Sequence, residues 1–217
     1  MTPPDGTAQQ QPTRTERKEA TRRAILDAAL RLTEESSLSA LSLRHVAREV
    51  GIAPTAFYRH FLSAEDLGLA LVDDSFGSLR RTLRDVRAAA TSTGRVIDGS
   101  IGVLIERVRA DREQFAFITR ERVGGMPGVR EAIRHHLDLF EAEIATDFAR
   151  MPGAVKWSTE DLRISAGLIV AAMVAAAERL VHAPATPEIE REVAHVTATQ
   201  LKMLTIGARN WESAAPE

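Results

Sequence analysis

Residues 43–61 read LRHVAREVGIAPTAFYRHF, two short helical patterns on either side of a glycine. In the first, Leu43, Val46, Ala47 and Val50 fall at i, i+3, i+4 and i+7, one face of a helix. Ser42 stands where an N-cap is needed, and Gly51 where a chain leaves a helix with positive φ. Pro54 suits the first turn of a third helix, because its φ is preset and its missing N–H costs nothing there. The spacing predicts that helix through His60. Two short helices joined at a glycine form a helix-turn-helix pattern, in which the second helix enters the major groove of double-stranded DNA. Leu43, Val46, Ala47, Val50, Ile52, Phe57 and Phe61 are expected to hold the pair against a preceding helix. That leaves Thr55, Tyr58, Arg59 and His60 facing outward. Thr, Tyr and His side chains donate to phosphate oxygens, and Arg also reads guanine O6/N7 in bidentate geometry. Ser42 and the free amides at the start of the second helix offer a phosphate site. Arg23, Arg44 and Pro54 complete the expected DNA-contacting set. Short helix pairs also occur in all-α domains that bind no DNA, so this reading needs support from the rest of the chain.

The totals leave room for it. A chain of 217 residues with 44% hydrophobic and 27% charged residues builds a sizeable core and reads as an ordinary globular protein. Cysteine is absent, which excludes disulfide frameworks and thiolate metal sites and fits a reducing cytoplasm, the expected location. The first twenty residues hold no apolar core of a secretory signal, and the most apolar window, Ile164 to Ala177, is too short for a membrane span. The net charge of −2 hides an asymmetry: residues 1–60 carry nine Lys/Arg against seven Asp/Glu, and residues 61–217 carry nineteen against twenty-three. Arg14, Arg17, Lys18, Arg22 and Arg23 crowd one short segment ahead of the quoted stretch. Taken alone, such a cluster fits a solvated helix face equally well.

The remaining patterns are helical, and no strand alternation is visible. Residues 1–13 are Gln/Pro/Thr-rich and are expected to form a disordered tail, with Thr13 and Glu16 placed as a capping box for helix one. Ser63, with Glu65 and Asp66 behind it, opens a long fourth helix to about Ala90. Ile97, Ile101, Leu104, Ile105 and Val108 form one later stripe, and Ile133, Leu137, Phe140, Ile144 and Phe148 form another before Met151-Pro152-Gly153. Two further helices, about 159–182 and 187–210, are separated by Pro184 and Pro187. The expected fold class is all-α with about nine helices. It divides into a helix-turn-helix DNA-binding domain at 14–62, with the motif at about 42–61, and a ligand-binding and dimerisation domain at 63–212.

The span from Lys18 to Leu71 resembles the DNA-binding domain of the TetR family of bacterial transcriptional repressors. Val46-Ala47, Gly51-Ile52-Ala53 and Phe57-Tyr58-Arg59-His60-Phe61 carry the likeness. Ala53 replaces a usual capping Ser, and Ala64 stands where many members have Lys, so phosphate contacts at those two positions are not carried over. Together with DLGLALVDDS and FAFITRERVGG, the stretch is similar to the FabR and DesT group, which represses unsaturated fatty acid synthesis. That resemblance implies a homodimer reading a palindromic operator, built through helices at about 160–210. It also implies an effector such as a long-chain acyl-CoA or fatty acid in an apolar cavity among helices four to eight. Phe115, Phe117, Phe140, Phe148 and Met173 are the candidate walls, although the phenylalanines are also simply core residues. Arg120 and Arg122 are the candidate headgroup contacts, with an ion pair to a shared Glu121 as the competing reading. An effector would act by shifting helix four between DNA-competent and incompetent placements. An effector of another hydrophobic type, controlling efflux or catabolic genes, is the alternative.

No cofactor and no metal site is expected. Glu192-x-x-His195 is a lone Glu-x-x-His, where a di-iron bundle needs two, and no Gly-rich phosphate loop or His-Glu-x-x-His is present. An enzyme is therefore not expected.

Overall fold

The computed structural model describes residues 13–34, 36–90, 92–150 and 157–213. Among them are nine α-helices and one 3-10 turn, Leu38–Ala40, with no strand. The first three helices are α1 (Arg14–Thr33), α2 (Leu43–Val50) and α3 (Pro54–Phe57). The long α4 (Ala64–Ala89) leads to α5 (Thr93–Ala110), α6 (Arg112–Gly124), α7 (Pro127–Ala149), α8 (Thr159–His182) and α9 (Pro187–Arg209). The sequence signals for the tail and for the Met151-Pro152-Gly153 break lie outside the described residues.

Local chemistry sets most boundaries. The Thr13 hydroxyl accepts from the Glu16 amide while the Glu16 carboxylate takes the Thr13 N–H at 2.6 Å, so the capping box closes both ways. The hydroxyls of Ser42, Ser63, Ser92, Ser158 and Thr186 cap α2, α4, α5, α8 and α9 by accepting from the amide three residues on. Gly51 takes φ 75° at the end of α2, where a Cβ would strain the chain. Ala53 leaves the start of α3 without a side-chain cap.

The third helix is shorter than its sequence pattern. Regular α-helix ends at Phe57, and Arg59 and His60 donate to the carbonyls three residues back, Ala56 and Phe57. The tightened turn swings Phe61 under the helix, where it packs beside Phe57 with ring centroids 6.0 Å apart. Both rings are buried, so the motif is closed by aromatic packing rather than by another helical turn.

One core runs without interruption from Ile25, Leu26 and Ala29 of α1, through Val46, Phe57 and Phe61, into Leu67, Leu71 and Val72 of α4 and on to Phe117, Ile133 and Phe140. The two parts of the chain therefore share packing across α4. A second cluster joins Leu104 and Val108 of α5 to Ala176, Leu180 and Val193 of α8 and α9, and a third joins Ile97 and Ile101 to Leu201. α8 packs on α7 and α9, and α9 also on α5. Along α9, Val193 and Leu201 are buried inside the chain, Ile189 and Leu204 are half-buried, and Val196, Met203 and Ile206 face outward.

Candidate DNA-binding surface and effector cavity

Gly51 and the Phe57–Phe61 pair aim the short α3 away from the body. Thr55, Tyr58 and Arg59 are exposed around it, with Pro54 at its start, while Ser42 and Arg44 are exposed at the start of α2. Tyr58 stands edge-on to Phe57 at 5.8 Å, which anchors its ring while leaving the side chain exposed. Arg14, Arg17 and Lys18 are exposed on the first turns of α1 and extend the basic surface. Their cluster was visible in the sequence, but charge alone does not distinguish a DNA contact from a solvated face.

Two residues of the expected set are placed differently. Arg23 reaches α4 instead, pairing with Asp74 at 2.6 Å and tying the first helix to the fourth. His60 is half-buried, and its Nδ1 lies away from solvent without a hydrogen-bond partner. Burial, followed by the charges of Lys18 and Arg22 on α1, pushes its pKa below the ordinary value. Arg22 itself lies over the Phe61 ring at 5.1 Å, a cation–π contact.

The body encloses a cavity of about 920 Å³ among α4 to α9, within the range of ligand sites. Its lining on α8 runs from Leu162 to Ala177, about 22 Å at the rise of a helix. Leu79, Leu83, Ile97, Leu104, Ile144 and Ile169 line much of it, with Phe115, Phe140, Phe148 and Met173 from the expected set. The apolar stripes on α5 and α7 contained Ile97, Leu104, Phe140, Ile144 and Phe148 among these. What sequence reasoning missed was the contribution of Trp157 and of Arg87, whose partners are remote in the chain.

Phe117 is not a wall of this cavity. It is 1% exposed and points to the other side of α6, into the core shared with α1 and α4. Arg120 is likewise not a headgroup contact. Its guanidinium caps the end of α1, donating to the carbonyls of Thr33, Glu34 and Ser36, which have no partner within the helix. Arg112, eight residues earlier, does the same for Leu180, Val181 and Ala183 at the end of α8. α6 is thus a strut between two helix C-termini. Arg122 does line the cavity and pairs with Glu178 on α8.

Glu121 does not bridge its neighbours. It is 2% exposed, one oxygen accepts from the Leu38 amide at 3.4 Å, and the other has no partner. Consecutive side chains point in different directions on a helix, so 120 and 121 grip the DNA-binding unit and 122 reaches the cavity.

The opposite end of the cavity carries a guanidinium–carboxylate network. Glu143 on α7 accepts from Arg80, Arg84 and Arg87 at 2.5, 2.6 and 2.8 Å. Burial opposes its ionisation, but the hydrogen bonds from Arg84, Arg80 and Arg87 outweigh this and hold its carboxyl below the usual range. Arg87 also donates to Asp147 at 2.8 Å.

α8 and α9 leave an apolar face open. Ile164, Leu168, Ala171 and Ala175 lie outward on α8, and Val196, Met203 and Ile206 outward on α9. Among the described residues α8 is the one helix long and apolar enough by composition to cross a membrane, yet only 33% of that window is buried. Glu192, from the Glu-x-x-His spacing, pairs with Arg179 at 3.0 Å. No cluster of three metal-ligating side chains occurs among the described residues.

Residues 25–71 match the model of bacterial regulatory proteins of the tetR family. Over the whole chain the fold is shared with solved structures of low identity. A TetR-family regulator from Syntrophomonas wolfei superposes with a TM-score of 0.74 at 15% identity, covering 87% of this chain and 96% of its own. The fatty acid degradation regulator FadR of Bacillus halodurans gives 0.71 at 17%, covering 83% and 94%. AibR, solved with isovaleryl coenzyme A and operator DNA, gives 0.64 at 15%, covering 83% and 97%. Residues 25–71 thus carry the signature of the tetR-family DNA-binding region, and the fold over most of the chain is similar to that of solved TetR-family regulators.

Proposed function

We propose that the chain is a dimeric repressor that binds a palindromic operator through Thr55, Tyr58 and Arg59. Ser42, Arg44 and the first turns of α1 supply backbone contacts. Its effector is a long-chain acyl thioester, lying in the cavity of the larger domain and controlling genes of fatty acid metabolism. The observation that carries the effector reading is the cavity itself: about 920 Å³, long and walled largely by aliphatic and aromatic side chains. Each buried methylene contributes roughly 0.8 kcal/mol, so a long tail is held strongly without any specific polar contact. FadR and AibR, which share the fold, are named for fatty acid degradation and for an acyl coenzyme A complex.

A second copy accounts for the open face of α8 and α9. Small residues at Ala171 and Ala175 allow close helix approach, with Leu168 and Met203 as larger anchors. Two recognition helices related by a two-fold axis then address half-sites about 34–36 Å apart, or a multiple of that. Effector binding changes that spacing by biasing the placement of α4, which lines the cavity and packs on α1, and of α6, which holds the end of α1.

The test is retention of fragments of the source genome by the purified protein, with and without palmitoyl-CoA and oleoyl-CoA. Retention that responds to acyl chain type is the expected result. Tight binding indifferent to both thioesters would leave a repressor with another hydrophobic effector.

A further inference from the structure

Arg14, Lys18 and Arg22 stand four residues apart on α1 and so share one stripe of that helix. The stripe ends at the close of the helix-turn-helix motif, where the Arg22 guanidinium lies 5.1 Å over the Phe61 ring. Phe61 is buried and packed on Phe57, so its ring is a fixed platform. Beside it, His60 has its pKa lowered by burial first and then by the charges of Lys18 and Arg22, which gather at this corner of the motif. Glu19 acts on His60 in the opposite sense, yet it makes no ion pair with Arg22 among the described residues.

Arg22 and Arg23 are neighbours in sequence with different duties. Arg23 is committed to Asp74 on α4 at 2.6 Å. Arg22 is half-buried and has no hydrogen bond and no ion pair among the described residues. A guanidinium stacked on an aromatic face keeps its in-plane N–H groups free, and those donors match phosphate oxygens in bidentate geometry. Contact with the ring also restricts the side chain beforehand, which reduces the ordering cost of a later contact. A recognition helix in the major groove is flanked by sugar–phosphate backbone, and Arg22 stands at the C-terminal flank of α3.

We propose that Arg22, held on the Phe61 ring, is a phosphate-backbone contact at the C-terminal flank of the recognition helix, with Lys18 extending the seat one turn along the same stripe. This rests on the reading of the chain as an operator-binding repressor. The contact differs in kind from those of Thr55, Tyr58 and Arg59 on α3. It is indifferent to base sequence and fixes affinity and register.

The experiment is fluorescence anisotropy on the full chain with two labelled duplexes, between about 50 and 200 mM salt. One duplex carries a fragment of the source genome that the protein retains, and the other is of random sequence. Arg22→Gln should weaken binding of both about tenfold at the lower salt, with the ratio of the two affinities kept. The plot of log affinity against log salt should become shallower by about 2, one phosphate lost from each half-site of a dimer. Arg22→Lys keeps the charge and should restore the slope, while Arg23→Gln should leave the slope as it is. An unchanged slope in Arg22→Gln overturns the phosphate contact whether affinity holds or falls, since a fall without a salt effect marks a disturbed recognition helix. A changed affinity ratio does the same. A slope lowered equally by Arg23→Gln also overturns it, because the effect is then one of net charge. Failure of the unmodified protein to retain any genomic fragment overturns the operator reading, and the contact with it.

Discussion

Gly68→Ala and Gly77→Ala make the same change nine residues apart on α4 and should have opposite effects. A Cβ at 68 would stand 2.4 Å from Leu38 Cδ2 and 2.8 Å from Val129 Cγ2, where carbon atoms need about 3.5–4.0 Å. Leu38 and Val129 are both fully buried, so neither side chain has free space to retreat into. Relief requires moving the 3-10 turn after α1 or the first turn of α7. Overpacking of this kind costs about 1–3 kcal/mol, while replacing Gly by Ala inside a helix returns about 1 kcal/mol. The net expectation at 68 is a loss of roughly 1 kcal/mol, a Tm lower by about 2–4 °C for a chain of this size. At 77 the nearest heavy atom is Arg81 Nη1 at 3.9 Å, so the propensity gain stands alone and Tm should rise by a similar amount. Thermal unfolding of both variants at one fixed protein concentration measures this, since a dimer's Tm depends on concentration. A rise in Tm for both variants would refute the claim that α4 is wedged against the DNA-binding unit at Gly68.

Other outcomes follow from the site. Arg59→Ala and Tyr58→Ala should weaken operator binding about tenfold or more with Tm nearly unchanged, because both side chains are exposed, whereas Phe57→Ala should cost about 3–5 kcal/mol of stability; gel retention beside thermal melts separates the two effects. The His60 pKa is depressed in the fold, so below its ordinary value near 6.5 the unfolded chain takes up the proton first. Its contribution to stability is therefore complete above about pH 6.5 and lost as pH falls from there, and His60→Gln should flatten the decline in urea midpoint between about pH 7 and 5. Leu168→Arg combined with Met203→Glu should give a monomer by light scattering, with helix content by circular dichroism retained and operator affinity lost. A dimer that survives that pair would move the interface off α8 and α9.

The helices themselves were legible in the sequence, because each signal is local. Capping hydroxyls at Thr13, Ser42 and Ser63, the positive-φ glycine at 51 and apolar spacing at 3.6 residues act within one or two turns. The outward set Thr55, Tyr58 and Arg59 could be read for the same reason, since a short helix with one apolar face leaves only its other face to solvent. His60 was misread because the turn tightens after Phe57 and carries the imidazole back against α1, an outcome set by the packing of Phe61.

Sequence alone decided that this chain is all-helical, where the capped helices α1, α2 and α4 begin, and that its N-terminal part carries a helix-turn-helix pattern. Only the tertiary structure decided which residues of equal type do different work. Arg120 and Arg122 differ by two positions, yet one caps α1 and the other lines the cavity. Phe115 and Phe117 divide the same way between cavity and core, and the apolar residues of α9 divide between an inner and an outer face. Periodicity states which residues share a face of a helix, but what meets that face depends on neighbours brought together from distant parts of the chain. For α6 and α9, which have neighbours on several sides, that partner is chosen by packing.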